Sequence, residues 1–172
     1  MATNSETSHT INQRDEPDNE FYTPQALARY CIDQVPLEEG DIVLDSARGT
    51  GAFYNQFPDY VERKYCEITE GIDFLEWSQE IDWIITNPPY DNLDEWYQHS
   101  ADVVRKGFAY LFHLHNITPR RIEMMEQKNF GLTHIHLCKV FEWYGMSAFV
   151  IFTRGKNHCI SYDRNVWRHE NK

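Results

Sequence analysis

The apolar run Trp83-Ile84-Ile85-Thr86 is stopped at once by Asn87-Pro88-Pro89-Tyr90. A short, unbroken apolar run of this kind reads as a strand buried on both faces, as in a parallel sheet covered by helices. Two prolines cannot donate to a further ladder, so the strand ends there. They fix the backbone so that the Asn87 side chain and the Pro88 carbonyl both point out of the carboxyl edge of the sheet, with the Tyr90 ring beside them. Two convergent acceptors match the two hydrogens of an exocyclic amino group, and a tyrosine face stacks on a planar ring. A Pro-Pro pair by itself more often just turns the chain after a strand; the whole tetrapeptide at this location points to a site.

The neighbouring segments fit such a sheet. Thr23 as N-cap and Pro24 at the first helical position open a predicted helix in which Leu27, Tyr30, Cys31 and Val35 recur at helical spacing, closed by Pro36 and Gly40. Ile42-Val43-Leu44 reads as a buried strand ending in Asp45, and Gly49-Thr50-Gly51 then turns the chain into a helix, the order found in nucleotide-binding folds. Residues 61–67 read as a second strand and 74–77 as a short connection. After Tyr90 the pattern predicts a helix over 93–105, a strand over 108–114, a short amphipathic helix over 120–128, and closing strands over 132–140 and 147–153. The class is α/β: a Rossmann-like, mostly parallel twisted sheet with a C-terminal antiparallel strand pair.

With 172 residues, 41% of them hydrophobic and 15% aromatic, the chain can bury one sizeable core, which excludes a fibrous or wholly disordered protein. Residues 1–20 are almost free of large apolar side chains and are expected to form a disordered arm. Residues 21–172 are then expected to form a single domain, with no segment long enough for a separate second one. No apolar run approaches the roughly 20 residues that span a bilayer, and the N-terminus lacks a secretory pattern, so a cytoplasmic protein without membrane contact is expected. Cys31, Cys66, Cys138 and Cys159 are scattered with no C-x-x-C pair, which suggests neither a zinc knuckle nor a disulfide framework.

The net charge of -11 argues at first against a polyanionic partner, but the charge is polarised along the chain. Residues 1–100 hold 21 Asp and Glu against 5 Lys and Arg, whereas residues 101–172 hold 6 against 11. In the basic part Arg120 and Arg121 follow Pro119 at a helix start, and Lys128, Lys139, Arg154, Lys156, Arg164 and Arg168 are interleaved with Phe141, Trp143, Tyr144 and Trp167. Clustered in space, these would form a phosphate-binding face with Arg120 and Arg121 as its leading contacts; an ordinary solvated surface is the equal alternative. His134, His136 and Cys138 alternate on one face of a predicted strand, as metal ligands can, but no fourth ligand is evident and no metal is assigned. His113 and His115 alternate likewise just ahead of Asn116 and are candidates to border a substrate cleft.

Together these residues resemble the N6-adenine DNA methyltransferases, whose catalytic signature is (Asp/Asn/Ser)-Pro-Pro-(Tyr/Phe), matched here by Asn87, Pro88, Pro89 and Tyr90. Phe21-Tyr22-Thr23-Pro24 is similar to the family motif ahead of the first strand, which meets the methionine end of S-adenosylmethionine (SAM). Residues 45–53, from Asp45 through Gly49 and Gly51 to Phe53, resemble its Asp-Pro-x-x-Gly-x-Gly-x-Phe loop. Glu67 stands where the family places the acid that holds the ribose hydroxyls, and Asp73-Phe74-Leu75 resembles the segment beside the cofactor adenine. The match covers residues 21–90 in order and spacing and is architectural beyond them.

The resemblance implies SAM as cofactor and methyl transfer to adenine N6 in DNA, with Asn87, Pro88, Pro89 and Tyr90 catalytic. Tyr22, Thr23, Pro24, Asp45, Gly49, Gly51, Glu67, Asp73 and Phe74 would bind the cofactor. Asp45 would attract its ammonium directly or through water, and Glu67 would accept both ribose hydroxyls, or else stand as a solvated strand end. Gly-x-Gly alone is weak, since most such pairs are turns. Ser46 replaces the usual proline, and Arg48, where a small residue is common, either reaches the cofactor carboxylate or, slightly favoured, turns to solvent. Asn-Pro-Pro-Tyr also occurs in enzymes that methylate RNA bases or a glutamine amide of translation factors; Phe-Tyr-Thr-Pro favours the DNA enzymes. Recognition of a target would come from loops, a second copy of the chain or a partner subunit, and a non-catalytic binding subunit with the same fold is the alternative from another class.

Overall fold

A computed structural model describes residues 23–140 and 145–164. The expected arm, Tyr22, Phe141, Trp143, Tyr144, Trp167 and Arg168 lie outside the described residues. In chain order the elements are α1 (Gln25–Ile32), β1 (Ile42–Asp45), β2 (Glu62–Tyr65), β3 (Ile81–Thr86), α2 (Leu93–Val103), β4 (Val104–His113), α3 (Pro119–Gln127), β5 (Phe130–Cys138) and β6 (Ser147–Arg154). They build one six-stranded sheet in the order β2-β1-β3-β4-β6-β5. The first four strands of that order run parallel, and β6 pairs antiparallel with both β4 and β5. This is the mixed, mostly parallel α/β sheet expected from the alternation of elements.

Period-two alternation along the strands sorts the core into two layers. Leu44, Ile84, Phe108, Tyr110, Phe112, Val150 and Phe152 face α2 and α3, whose Trp96, Tyr97, Ala101, Ile122 and Met125 close that layer. Val43, Trp83, Ile85, Ala109, Leu111, Phe149 and Ile151 face the other way, where Ala28, Cys31 and Ile32 of α1 join Phe53 and Phe57. Among the described residues no helix is long and apolar enough to cross a membrane.

Several boundaries differ from the sequence pattern, each for a local reason. Helix α1 begins at Gln25 with Pro24 as its N-cap, and no side chain caps it. Thr23 therefore is not the cap; its hydroxyl is bonded elsewhere. Val35 packs into the core from the turn beyond α1, and Tyr30 is 52% exposed rather than on the buried stripe. The helix expected after the glycine turn contracts to a 3-10 turn over Tyr54–Gln56, because Phe57 is drawn into an extended conformation ahead of Pro58. Strand β4 starts at Val104, directly where α2 ends, so residues 104 and 105 are strand and not helix, and the strand begins four residues earlier than expected. A Cβ at Gly107 would lie 2.4 Å from the Phe152 carbonyl and 2.5 Å from the Trp83 ring, so only glycine permits this close strand contact. Helix α3 begins one residue earlier than its pattern, with Pro119 in its first turn and the Thr118 hydroxyl accepting from the Arg121 amide at 3.3 Å.

Candidate functional site

Strand order reverses between β1 and β3: the chain leaves β1 for β2 on one side, and returns to place β3 on the other. In open α/β sheets the crevice outside the carboxyl ends of such a strand pair receives ligands. Asp45 ends β1 and Thr86 ends β3, so the two sequence motifs converge on that crevice.

Asp45 is 1% exposed. Its Oδ1 accepts from the Thr86 hydroxyl at 2.8 Å and its Oδ2 from the Tyr54 amide at 3.1 Å. Burial nevertheless dominates and pushes its carboxyl up to about 6 against those bonds. Thr86 Oγ1 also accepts from the Ala47 amide at 3.2 Å, which fixes the start of the loop on the end of β3. Through these bonds Asp45 shapes the loop from within.

The loop then passes Gly49 and Gly51, at φ 51 and 87 degrees, a left-handed backbone that L side chains rarely adopt. Gly49 brings its amide 2.8 Å from Glu67 Oε2, two residues beyond the end of β2. Glu67 Oε1 accepts from both the amide and the hydroxyl of Thr69, at 3.1 and 2.7 Å. These bonds, led by the Thr69 hydroxyl, hold Glu67 below the usual carboxylate range, so it is an anion at neutral pH. Oε1 is already doubly bonded and Oε2 singly, so the arrangement receives one ligand hydroxyl at Oε2 rather than the two expected, unless Thr69 turns away. Arg48 neither reaches across the crevice nor turns freely to solvent: it pairs with Glu70 and lies over the Tyr65 ring, 4.1 Å from its centroid. Ser46 is 2% exposed and, among the described residues, its hydroxyl has no hydrogen-bond partner.

Asp73 Oδ1 accepts from the Leu75 amide at 2.9 Å and caps a short 3-10 turn. Phe74 is 2% exposed, its ring 4.6 Å from Trp96 and 4.8 Å from His99, so the ring belongs to the core beneath the crevice. At the end of β3 Pro88 is buried, Pro89 is exposed and Tyr90 is 48% exposed. Asn87 Nδ2 donates to Thr23 Oγ1 at 3.2 Å, which joins the segment before α1 to the motif after β3. The Asn87–Thr23 bond thus lies one residue along the chain from the Thr86–Asp45 bond, and Gly49, Glu67 and Thr69 form a further bonded group.

Among the described residues, several cations of the expected basic face are engaged within the chain. Arg121 donates to Asp94 at 2.7 Å and to both the carbonyl and the side chain of Asn116 at 3.0 and 3.2 Å, and its side chain is 19% exposed. Arg120 pairs with the same Asp94 at 2.9 Å but remains 68% exposed. Lys128 pairs with Asp102 and Arg164 with Glu123, while Arg154 donates to the Ala101 and Val104 carbonyls at the end of α2. Counting residues by charge could not reveal that acids and carbonyls from other segments had already taken these cations. Among the histidines, His134 Nε2 meets Gln34 at 2.5 Å, the His136 ring lies 4.8 Å from Tyr30, and the His113 and His115 rings are 4.2 Å apart. Among the described residues no group of three or more His, Cys, Asp or Glu could hold a metal ion.

Sequence reasoning missed the roles of Thr86 and Thr69 in fixing Asp45 and Glu67. The signal for Thr86 was its place as the polar last residue of an apolar strand; for Thr69, an Glu-x-Thr spacing that lets Glu67 cap a turn.

No protein-family model matches the chain. Over 132 residues it is 24% identical to the methylase subunit of the type I restriction enzyme EcoEI of Escherichia coli, a match covering 52% of this chain and 26% of that protein. The matched region is thus about a quarter of that relative's length. A modification subunit of a putative type I restriction enzyme from Vibrio vulnificus YJ016 superposes with a TM-score of 0.63 at 17% identity, covering 92% of this chain and 51% of that one. Magnesium protoporphyrin IX methyltransferase from Synechocystis PCC 6803, solved with SAM bound, superposes with a TM-score of 0.57 at 12% identity over 75% of this chain and 76% of that one. The chain has the fold of the SAM-dependent methyltransferases, and the matched structures belong to proteins with different substrates.

Proposed function

We propose that the crevice binds SAM and that the protein methylates the N6 amino group of adenine in DNA. The observation that carries this reading is the convergence of Asn87-Pro88-Pro89-Tyr90 with the Asp45 loop and Glu67 at the reversal of strand order. The residues present fit the cofactor. Glu67 offers a free lone pair on Oε2 to a ribose hydroxyl, and the left-handed turn at Gly49 and Gly51 lets the backbone approach closely. The buried Asp45 carboxylate adds negative potential favourable to a cation. When bound, SAM supplies a methyl group on a sulfonium.

The protein's own part is positioning. The target base, flipped from the stack or single-stranded, lies against Tyr90, half exposed beside the motif. Asn87 Oδ1 and the Pro88 carbonyl accept its two amino hydrogens, which draws the nitrogen out of conjugation with the ring and directs its lone pair into the crevice. Rate comes from this alignment and from fixed dipoles, with no strong general base required. Likeness to a restriction-enzyme methylase subunit and the Thr23-Pro24 segment beside Asn87 favour DNA over RNA or a protein amide.

Because Arg121, Lys128, Arg154 and Arg164 are engaged inside the chain, part of the grip on a polynucleotide comes from a partner subunit or a second copy, beside Arg120, Lys139 and Lys156 on this chain. Sequencing DNA from cells that express the protein, with a probe for N6-methyladenine, tests the reading. Modified adenine absent from empty-vector and Asn87→Ala controls supports it; unmodified DNA alongside newly methylated RNA or protein overturns it.

A further inference from the structure

We infer that Thr23 is a positioning residue that holds the Asn87 amide with its oxygen toward the crevice. The inference rests on the reading of Asn87 as the acceptor of the target amino group. The bond that carries it runs from Asn87 Nδ2 to Thr23 Oγ1, 3.2 Å, between residues 64 positions apart. Thr23 is 9% exposed, so water competes little for the contact.

An asparagine amide presents an acceptor on one side and a donor on the other, and a half-turn about its last torsion exchanges them. With its nitrogen spent on Thr23, the oxygen is the atom left to face outward. An amino group is a donor, so only that orientation serves it; the reverse would set two donors against each other.

Both partners are held so that the bond is preformed. Each is the residue before a proline, Thr23 before Pro24 and Asn87 before Pro88, and a following proline confines the backbone to extended conformations. Pro24 caps α1, its carbonyl accepting from the Ala28 amide at 3.0 Å. Ala28, Cys31 and Ile32 of α1 pack in the same core layer as Trp83 and Ile85 of β3, the strand that carries Asn87. The helix and the strand therefore share a rigid body, and the hydroxyl is delivered to the amide by packing. The Thr-Pro pair, expected to start a helix and meet a cofactor, also touches the motif after β3, where its hydroxyl stands as acceptor to the amide nitrogen.

The test compares the full-length wild type with Thr23→Val, which keeps the shape and removes the hydroxyl, and Thr23→Ser, which keeps the hydroxyl. In amide-resolved NMR, the Asn87 side-chain resonances are identified by their loss in Asn87→Ala. The expected result is that one of them moves upfield and exchanges faster in Thr23→Val, and returns toward the wild-type position in Thr23→Ser. With labelled SAM at saturating concentration and an adenine-containing oligonucleotide, kcat falls about ten- to a hundredfold in Thr23→Val, and Thr23→Ser recovers most of the loss. Unchanged amide resonances in Thr23→Val, or an equal loss of kcat in Thr23→Ser, would each overturn the assignment. Should the wild type transfer no methyl to any polymer, the reading of the crevice fails on its own, and the amide resonances still decide the role of Thr23.

Discussion

The Thr86 hydroxyl donates to Asp45 Oδ1 at 2.8 Å, joining the carboxyl ends of β1 and β3 across the reversal of strand order. Both residues are buried, and the same Thr86 oxygen accepts from the Ala47 amide. One threonine therefore holds both the acid and the first residues of the loop that follows it. The crevice has a rigid floor before any ligand arrives.

That floor carries a pH signature. An acid whose carboxyl is pushed up to about 6 in the fold, above its ordinary value of 3.8, binds its proton more tightly folded than unfolded. Its ionisation therefore weakens the fold as pH rises from about 4 to about 6, by roughly 3 kcal/mol in all. In Asp45→Asn this dependence is absent. Urea unfolding of both proteins between pH 4.5 and 8 should show the difference in stability, wild type minus variant, falling up to about pH 6 and level above it. A difference that is flat throughout would mean that Asp45 is not held in this way.

Glu67 is expected to govern cofactor affinity. Its bonds to Gly49 and Thr69 require an acceptor at both oxygens, and an amide offers only one. Glu67→Gln should raise the Kd for SAM about ten- to a hundredfold, the range of a lost charge-assisted hydrogen bond. Calorimetry with SAM provides the measurement, and an unchanged Kd would remove Glu67 from the site.

The two neighbouring arginines should separate. Arg121 is mostly buried among Asp94 and Asn116, so Arg121→Ala should cost about 1–2 kcal/mol of stability. Arg120, largely exposed on the same acid, should cost less than about 0.5 kcal/mol when replaced by alanine. Any effect of Arg120→Ala lies instead in polynucleotide binding, with the slope of log affinity against log salt reduced by about one. Denaturant unfolding and a salt titration of oligonucleotide binding distinguish the two; equal stability losses would contradict the assignment.

The parts of the fold legible in the sequence are those where one segment determines its own conformation. The apolar runs at 42–44 and 83–86 became β1 and β3 because nothing but a buried sheet accepts them, and the prolines at 88 and 89 ended β3 where the pattern said. The fate of residues 54–58 was less legible, since a single proline cut a helix to one turn. Least legible were contacts between distant segments. Asp94 lies 27 positions from Arg121 and Thr23 lies 64 from Asn87, and each pairing decided whether a side chain faced a ligand or its own chain. Charge counts and motif spacings carry no information of that kind.

Asn87 anchors the proposed chemistry and should be separable from the rest of the site. Asn87→Ala removes one of two acceptors for the amino group, and the expected loss in kcat is about a hundred- to a thousandfold, with SAM affinity within about threefold. Parallel steady-state kinetics and calorimetry read both quantities. A large loss of SAM affinity would make Asn87 structural.

The most direct measurement is to incubate the purified protein with methyl-labelled SAM and, separately, DNA, RNA and translation factors, and to identify the labelled product after digestion. Label recovered as N6-methyladenine from DNA is the result predicted here. Label in a glutamine amide or only in RNA, or none in any polymer together with no SAM binding by calorimetry, would contradict it.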